Sequence, residues 1–549
     1  MKRWWLLVLV AGSAFARDVR VTDVTTLRAA VAAAMPADVI ILAPGTYRLT
    51  SKLSCNANGT AAQRIVMRAE TPFTARLESD TVIAIGVAGA YWTFEGLRVQ
   101  GVCADDSNCE HAFQVTGAAT DVVLRGNQLV DFNAQLKVNS VVTSPGNAMT
   151  PHRGLVERNE LFDTRPRVTS NPVTKLNIDT GDDWVVRDNF IHDWRKNGGN
   201  FVSYGVFLKS GGKRGVMERN LVICATTTVP LAGNDARIGL SFGGGGTGAQ
   251  FCAPAFDAAV PCNVEHEDGI ARNNVVINCS DVALYLNRSR NTRVLYNTFI
   301  ATNGVDFRFD TTTGSAIGNV TSSAIRTRDM GTFTGMANLV NVTTPTFDGW
   351  YTTPLAGDLS VMGNVSMLVG AGPREALVTD DFCGRPRPAT GQFTQGALEH
   401  SLGSCVTTKG PDAGVIVPMG GGSAGGSATA GGSATAGGSA TAGGSATAGG
   451  SATAGGSPAA GGSAAAGGSA TAGGSPAAGG SATAGGSATA GGSATAGGSA
   501  TACQDSSCEP PKGCGCGAVD ASSLLVFGLV GLVRRRRGSL LSGPARRTA

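Results

Sequence analysis

One short phrase recurs through the middle of the chain and constrains the fold more than anything else in it. It reads apolar–apolar–Arg–x–Asn–x–apolar, or a near variant. The clearest copies end at Asn127, Asn159, Asn189 and Asn220, and looser ones end at Asn274, Asn297 and Asn319. An apolar residue stands two places after each of the first six: Leu129, Leu161, Ile191, Val222, Val276 and Phe299. The spacing is 22 to 32 residues, with one gap of 54. A unit repeated this regularly cannot bury its apolar face alone and must stack on its neighbours as a solenoid.

Each unit carries short runs of alternating apolar residues broken by Asn, Gly or Asp, and the 3.6-residue period of helical repeats is absent. The expected architecture is all-β, a single-stranded parallel β-helix. It has one coil per repeat and strands about 4.8 Å apart along the axis. Asn tolerates the left-handed backbone of a sharp corner, so the recurrent Asn residues are expected to turn the corners and to hydrogen-bond along the stack. Thr25 to Ala34 reads as a short helix ended by Pro36-Ala37-Asp38, and Val39 to Tyr47 as a strand and turn. A helix there would cap the open end of the coil. This opening resembles that of right-handed parallel β-helix proteins of the pectate-lyase-like class. The segment from Asp380 to Arg387, with Gly396 to Glu399, resembles the closing segment of the same class. The resemblance spans roughly residues 18 to 405 and implies a right-handed coil.

The remainder of the 549 residues is organised differently. Residues 1–16 read as a signal peptide: Lys2 and Arg3, an apolar run from Trp4 to Val10, then Ala14-Phe15-Ala16. The β-helix is expected over 17–405. Residues 406–502 are a Gly/Ser/Ala/Thr-rich linker, without enough apolar bulk to form a core and therefore expected to be disordered. A Cys-rich motif at 503–517 precedes a short apolar segment at 518–537 that ends in Arg534 to Arg537, and 538–549 is a tail. The apolar stretch is shorter than the ~20 residues of a comfortable spanning helix, and the arginines supply a positive-inside stop. Cys514-Gly515-Cys516 and the arginine block resemble the MYXO-CTERM class of bacterial sorting tails. That resemblance implies export and membrane anchoring at the cell surface through the C-terminus. The net charge of +4 is more than covered by the six arginines after residue 533, so nothing points to nucleic acid. A monomer is expected.

Nine of the thirteen cysteines precede the linker. In an exported chain disulfides are their natural use. Cys103–Cys109 and Cys252–Cys262 would close local loops, and Cys224–Cys279 would join adjacent coils. Nine is odd, so one thiol is expected to stay free or to pair elsewhere. No Cys-x-x-Cys or paired-His spacing suggests zinc.

The strands about twelve residues before each corner Asn expose their second and fourth residues. In order these are Gln114/Thr116, Lys137/Asn139, Asn177/Asp179, Phe207/Lys209, Gly239/Ser241, Tyr285/Asn287 and Asp306/Arg308. In register, Lys209, Ser241, Asn287 and Arg308 would form one line along the axis, with Asp179 beside Lys209. Amides, hydroxyls, both charge signs and the rings of Phe207 and Tyr285 along a shallow track suit an extended acidic polysaccharide; a small molecule would need a deep pocket. Asn139, Asn177, Phe207, Ser241, Tyr285 and Asn287 are the candidate sugar-binding residues.

The enzymatic reading is a lyase acting by β-elimination. Such chemistry needs a base and a positive group or calcium against the uronate carboxylate. Lys209 is the candidate base, and Arg308 or Arg237 the candidate neutralising group. Val206-Phe207-Leu208-Lys209-Ser210 resembles the Lys-Ser strand of chondroitinase-B-type lyases, which carry two calcium-holding carboxylates just upstream. Here Phe201 to Gly205 has none, and the acidic group expected to hold calcium is Asp179, Asp182 and Asp183. Gly243 to Gly248 is no phosphate loop, because no Lys-Ser/Thr follows. Hydrolysis by paired carboxylates lacks an outward Asp-Asp strand motif. The alternatives are a non-catalytic carbohydrate-binding or adhesive surface protein, and a structural spacer.

Overall fold

The computed structural model describes residues 17–227, 235–244 and 246–404. The expected signal peptide, linker, Cys-Gly-Cys motif and apolar C-terminal stretch lie outside them. No helix among the described residues is long and apolar enough to cross a membrane.

The chain winds through three stacked parallel sheets. Sheet I has twelve strands, from Asp18–Val21 to Thr334–Met336. Sheet II has ten, from Gly45–Leu49 to Val320–Thr321, and sheet III has ten, from Leu53–Cys55 to Ile325–Arg328. One coil runs Val123–Arg125 in sheet I, Gln128–Val130 in sheet II and Ala134–Asn139 in sheet III. This is the right-handed parallel β-helix, the hand that strand twist imposes on parallel crossovers. Inward residues such as Leu124, Leu129, Leu136, Val156, Leu161 and Leu176 form one continuous core. The helix Val24–Ala32 covers the first coil. Asp23 caps it in a reciprocal box with Thr26, and Leu27 and Val31 are buried beneath it.

The asparagines form the ladder expected, extended by one rung. From Asn127 through Asn319, each Nδ2 donates to the Oδ1 of the next Asn, and Asn319 donates to Asn338 at 2.8 Å. Their corner role differs from the expectation. The left-handed residue is the one before the Asn: Gly126, Arg158, Asp188, Arg219, Asn273, Tyr296, Gly318 and Ala337 all have φ between 50° and 69°. Each Asn from Asn127 to Asn319 turns inward and is buried, because its amide must reach both the next Asn and a backbone carbonyl of the previous coil, as Asn159 does with Leu124 O at 2.9 Å.

Cys103–Cys109, Cys224–Cys279 and Cys252–Cys262 are bonded as expected. Cys383 is also disulfide-bonded, and Cys55 is the buried free thiol.

The closing segment lies along a flank of the coil. The outward face of sheet II turns apolar in its second half, with Phe190, Leu221, Ile223, Val275, Ile277, Ile300 and Val320. Phe347, Trp350, Tyr351, Leu359, Leu368 and Phe382 pack over it. Arg219 and Asp380 pin the two parts at 2.6 Å.

Candidate functional site

Sheet III carries its outward residues on strands whose parity matches the expectation, but one register differs. Phe207 pairs with Ser241, Ser241 with Tyr285, and Tyr285 with Asp306. Ser241 therefore lies in the Phe207 column and not beside Lys209. The run Ile238-x-Leu240-x-Phe242 offers three alternating apolar residues, and the core takes the last two. Ile238 instead packs with Val282, Tyr285, Val202 and Tyr204 in a separate cluster. The slip is by two residues, so every side chain keeps its face. The register runs unbroken through Gly205, which stands opposite Gly239; a Cβ there would lie 2.6 Å from Gly239 O.

Lys209 and Asp179 are direct register partners. Lys209 Nζ is 3.7 Å from Asp179 Oδ1 and 4.9 Å from the centre of the Phe207 ring. On the other side Lys137 Nζ binds Asp179 Oδ2 and donates to Asn177 Oδ1 at 3.2 Å. Ser210 Oγ also donates to Asp179 at 3.2 Å. Burial alone would raise the pKa of Asp179, but Lys137, Lys209 and these hydrogen bonds hold it below the usual carboxylate range. Two ammonium groups thus converge on one carboxylate that stays charged. Lys137 was legible as an outward residue, but nothing in the sequence showed that it reaches diagonally to Asp179.

Asn139 lies at the same end of the sheet, accepting from Gln114 at 3.4 Å and donating to Ser140 O at 3.2 Å. Ser241 is buried with its hydroxyl on the carbonyls of Gly243 and Tyr285, so it cannot reach a ligand. Asn287 donates to Tyr285 Oη at 3.3 Å and has a buried Oδ1 without a partner. Arg308 donates to the same phenol at 3.0 Å, binds Asp329 and stacks 4.7 Å from Phe309. Burial pushes the Tyr285 phenol up against the opposing pull of Arg308.

Two expected roles fail on geometry. Three strand spacings, about 14 Å, separate Lys209 from Arg308, so Arg308 cannot neutralise a carboxylate whose neighbouring proton Lys209 removes. Arg237 is buried and held by Asp235 at 3.0 Å and by Cys224 O at 3.1 Å, off the outward track.

The calcium set is also dispersed. Asp183 is gripped by both arms of Arg214 at 2.7 and 2.8 Å, and Asp182 meets Arg214 at 3.2 Å, while Asp179 faces the lysines. Among the described residues no group of three or more His, Cys, Asp or Glu could hold a metal ion. With their oxygens on cationic partners, these three acids do not fit calcium.

A wall rises along the edge of sheet III where its strands end. The hairpin Val141–Ser144/Asn147–Met149 meets the loop closed by Cys252–Cys262, with Gly146 N donating to Ala255 O at 2.6 Å. Ala253 N donates to Ser210 O, next to Lys209, at 2.9 Å. Buried Glu265 binds Gly244 N and Thr247 Oγ1, both at 3.1 Å. The result is an open track with one raised side.

Among solved structures, the chain is similar to pectate lyase Pel9A, with a TM-score of 0.49, 12% identity and 70% of this chain and 97% of that one covered. It is also similar to a rhamnogalacturonan lyase, at 0.41, 11%, 69% and 91%. An alginate lyase from Paenibacillus sp. str. FPU-7 gives 0.33, 17%, 58% and 99%. No protein-family profile and no curated protein matches the chain. The likenesses concern the coil, and the chemistry of the site rests on its own residues.

Proposed function

We propose that the outward face of sheet III binds an acidic polysaccharide and cleaves it by β-elimination, with Lys209 as base and Lys137 as the group that meets the uronate carboxylate. The observation that carries this reading is the convergence of the two ammonium groups on Asp179 beside the Phe207 ring. A uronate carboxylate arriving at Lys137 competes with Asp179 for the same cation. Neutralising that carboxylate stabilises the charge that develops as the α carbon loses its proton. Lys209 first gives its ammonium proton to solvent and then, as the amine, takes the C5 proton. The C–H electron pair becomes the C4–C5 double bond and the C4–O bond breaks. The leaving oxygen recovers the proton from Lys209, so the amine is regenerated. Asp179 keeps the two nitrogens on opposite oxygens of one carboxylate, and Arg308 would hold a distant unit of the same polymer. Export and tethering by the linker and sorting tail would place this face outside the cell.

The test is incubation of the protein with alginate, pectate and glycosaminoglycans while the ultraviolet absorbance of unsaturated ends is followed. Absorbance rising for wild type and flat for Lys209→Ala supports elimination. A second reading, a non-catalytic sugar-binding surface, is favoured by the fact that both lysines are already occupied by Asp179. It predicts binding on all active arms with no absorbance change, and that outcome would sink the lyase.

A further inference from the structure

At the corner between sheets II and III, a lysine and an aspartate are sealed together away from the proposed site. Lys175 is the third residue of the strand Val173–Asp179, and Asp163 directly follows the strand Glu160–Phe162. Their side chains are 0% and 1% exposed, and Lys175 Nζ lies 2.6 Å from Asp163 Oδ2, an oxygen one bond from Cγ. Phe132 O accepts from the same nitrogen at 2.8 Å, which fixes the direction of the amine. Gln135 Nε2 donates to the other carboxyl oxygen at 3.4 Å.

From this geometry we infer that Lys175 and Asp163 are joined by an intramolecular amide bond that forms once the coil has folded. Three features favour condensation over a lasting ion pair. Desolvation raises Asp163 and lowers Lys175, so burial drives both toward their neutral forms, a carboxylic acid and a nucleophilic amine. The two groups are held in contact by elements of the folded coil, which removes the entropic cost of bringing them together. An unspent donor is also close by. Arg167 is buried, with one nitrogen on Asp106 at 3.0 Å and another on Asn133 at 3.2 Å, while its remaining terminal nitrogen has no hydrogen-bond partner. Its charge acts on Asp163 through space, where negative charge would develop on the carboxyl oxygen under attack.

The reaction balances without a co-reactant. The amine lone pair forms the N–Cγ bond, the Cγ–OH bond breaks, and the hydroxyl leaves as water with one amine proton. A cross-link at this corner would staple adjacent strands of one coil beside the Cys103–Cys109 loop.

Tryptic digestion of the reduced, alkylated full chain decides the matter. Trypsin does not cut at Arg165, which precedes Pro166, nor at an acylated Lys175. The expected product is Asn159–Arg167 joined to Val168–Arg187, a branched species that releases Asn159 and Val168 together in the first cycle of sequential degradation. The Lys175→Arg chain should yield only linear peptides. Full release of Val168–Lys175 as a separate peptide from the wild-type chain would overturn the inference.

Discussion

The outward faces of sheets I and III are built on the same coil and use charge in opposite ways. On sheet I one column reads Arg68, Glu95, Arg125, Glu157, Arg187, Glu218, Arg272, alternating in sign at every rung. Arg125 bridges Glu95 at 2.9 Å and Glu157 at 2.6 Å, Arg187 meets Glu157 at 2.7 Å, and Arg272 meets Glu218 at 2.5 Å. From Glu95 to Arg272 each charge is spent on the neighbouring coil. On sheet III two lysines share one aspartate. A surface that balances itself holds a fold together, whereas one with a cation to spare can take a ligand.

The sharpest break of this comparison is kinetic. Lys209→Ala should lower the rate of unsaturated-product formation about 10²–10⁴-fold, with little change in thermal midpoint. A large loss of midpoint instead would make Lys209 a structural residue like those of sheet I. The converse substitution, Glu157→Ala, should cost about 1–3 kcal/mol in denaturant unfolding and leave the rate unchanged. Glu157 is 1% exposed, but its partners Arg125 and Arg187 are 43% and 36% exposed. Water screens them, which keeps the loss below the roughly 3–5 kcal/mol of a fully enclosed pair.

A pH titration sharpens the comparison further. Burial would raise Glu157, but Arg125 and Arg187 hold it below the usual carboxylate range. A carboxylate depressed in the folded state stabilises fully above its unfolded value, near 4, and loses that contribution as pH falls through the folded value. Acid should therefore destabilise wild type more than Glu157→Gln when unfolding is followed by circular dichroism below about pH 4. The smallest effect is expected from salt. Raising it should weaken polymer binding at Lys137 and Lys209 while barely moving the unfolding midpoint, because the acids Glu157 and Glu218 on sheet I are buried. Equal salt sensitivity of the two would erase the distinction.

Local patterns in the sequence carried much of this. The Asn phrase and the alternating runs are short-range signals that correspond to contacts between neighbouring coils; of the cysteine pairs, Cys224–Cys279 joins coils while Cys103–Cys109 and Cys252–Cys262 close local loops. The charge ladder was not anticipated, although Arg125, Glu157, Arg187, Glu218 and Arg272 stand two places before successive ladder asparagines. What could not be read was register within Ile238 to Phe242, where pattern permits two alignments and only the position of Gly239 against Gly205 decides. The partner of Asp179 was hidden for a related reason, because Lys137 reaches across the rungs diagonally. Arg308 does share the Lys209 column, but a shared column does not make two residues neighbours, and three strand spacings separate them. The left-handed corner fell on the residue before each Asn, a position occupied by Gly, Arg, Asp, Asn, Tyr or Ala and so without a residue signature.

The alternating column on sheet I also limits how such a coil can be lengthened or shortened. Excising the single turn that carries Glu157 would bring Arg125 against Arg187, two guanidinium groups face to face. Excising two successive turns, those of Glu157 and Arg187, would bring Arg125 against Glu218 and restore attraction. For this face the smallest interchangeable module is therefore a doublet of turns, although the asparagine stack would accept one.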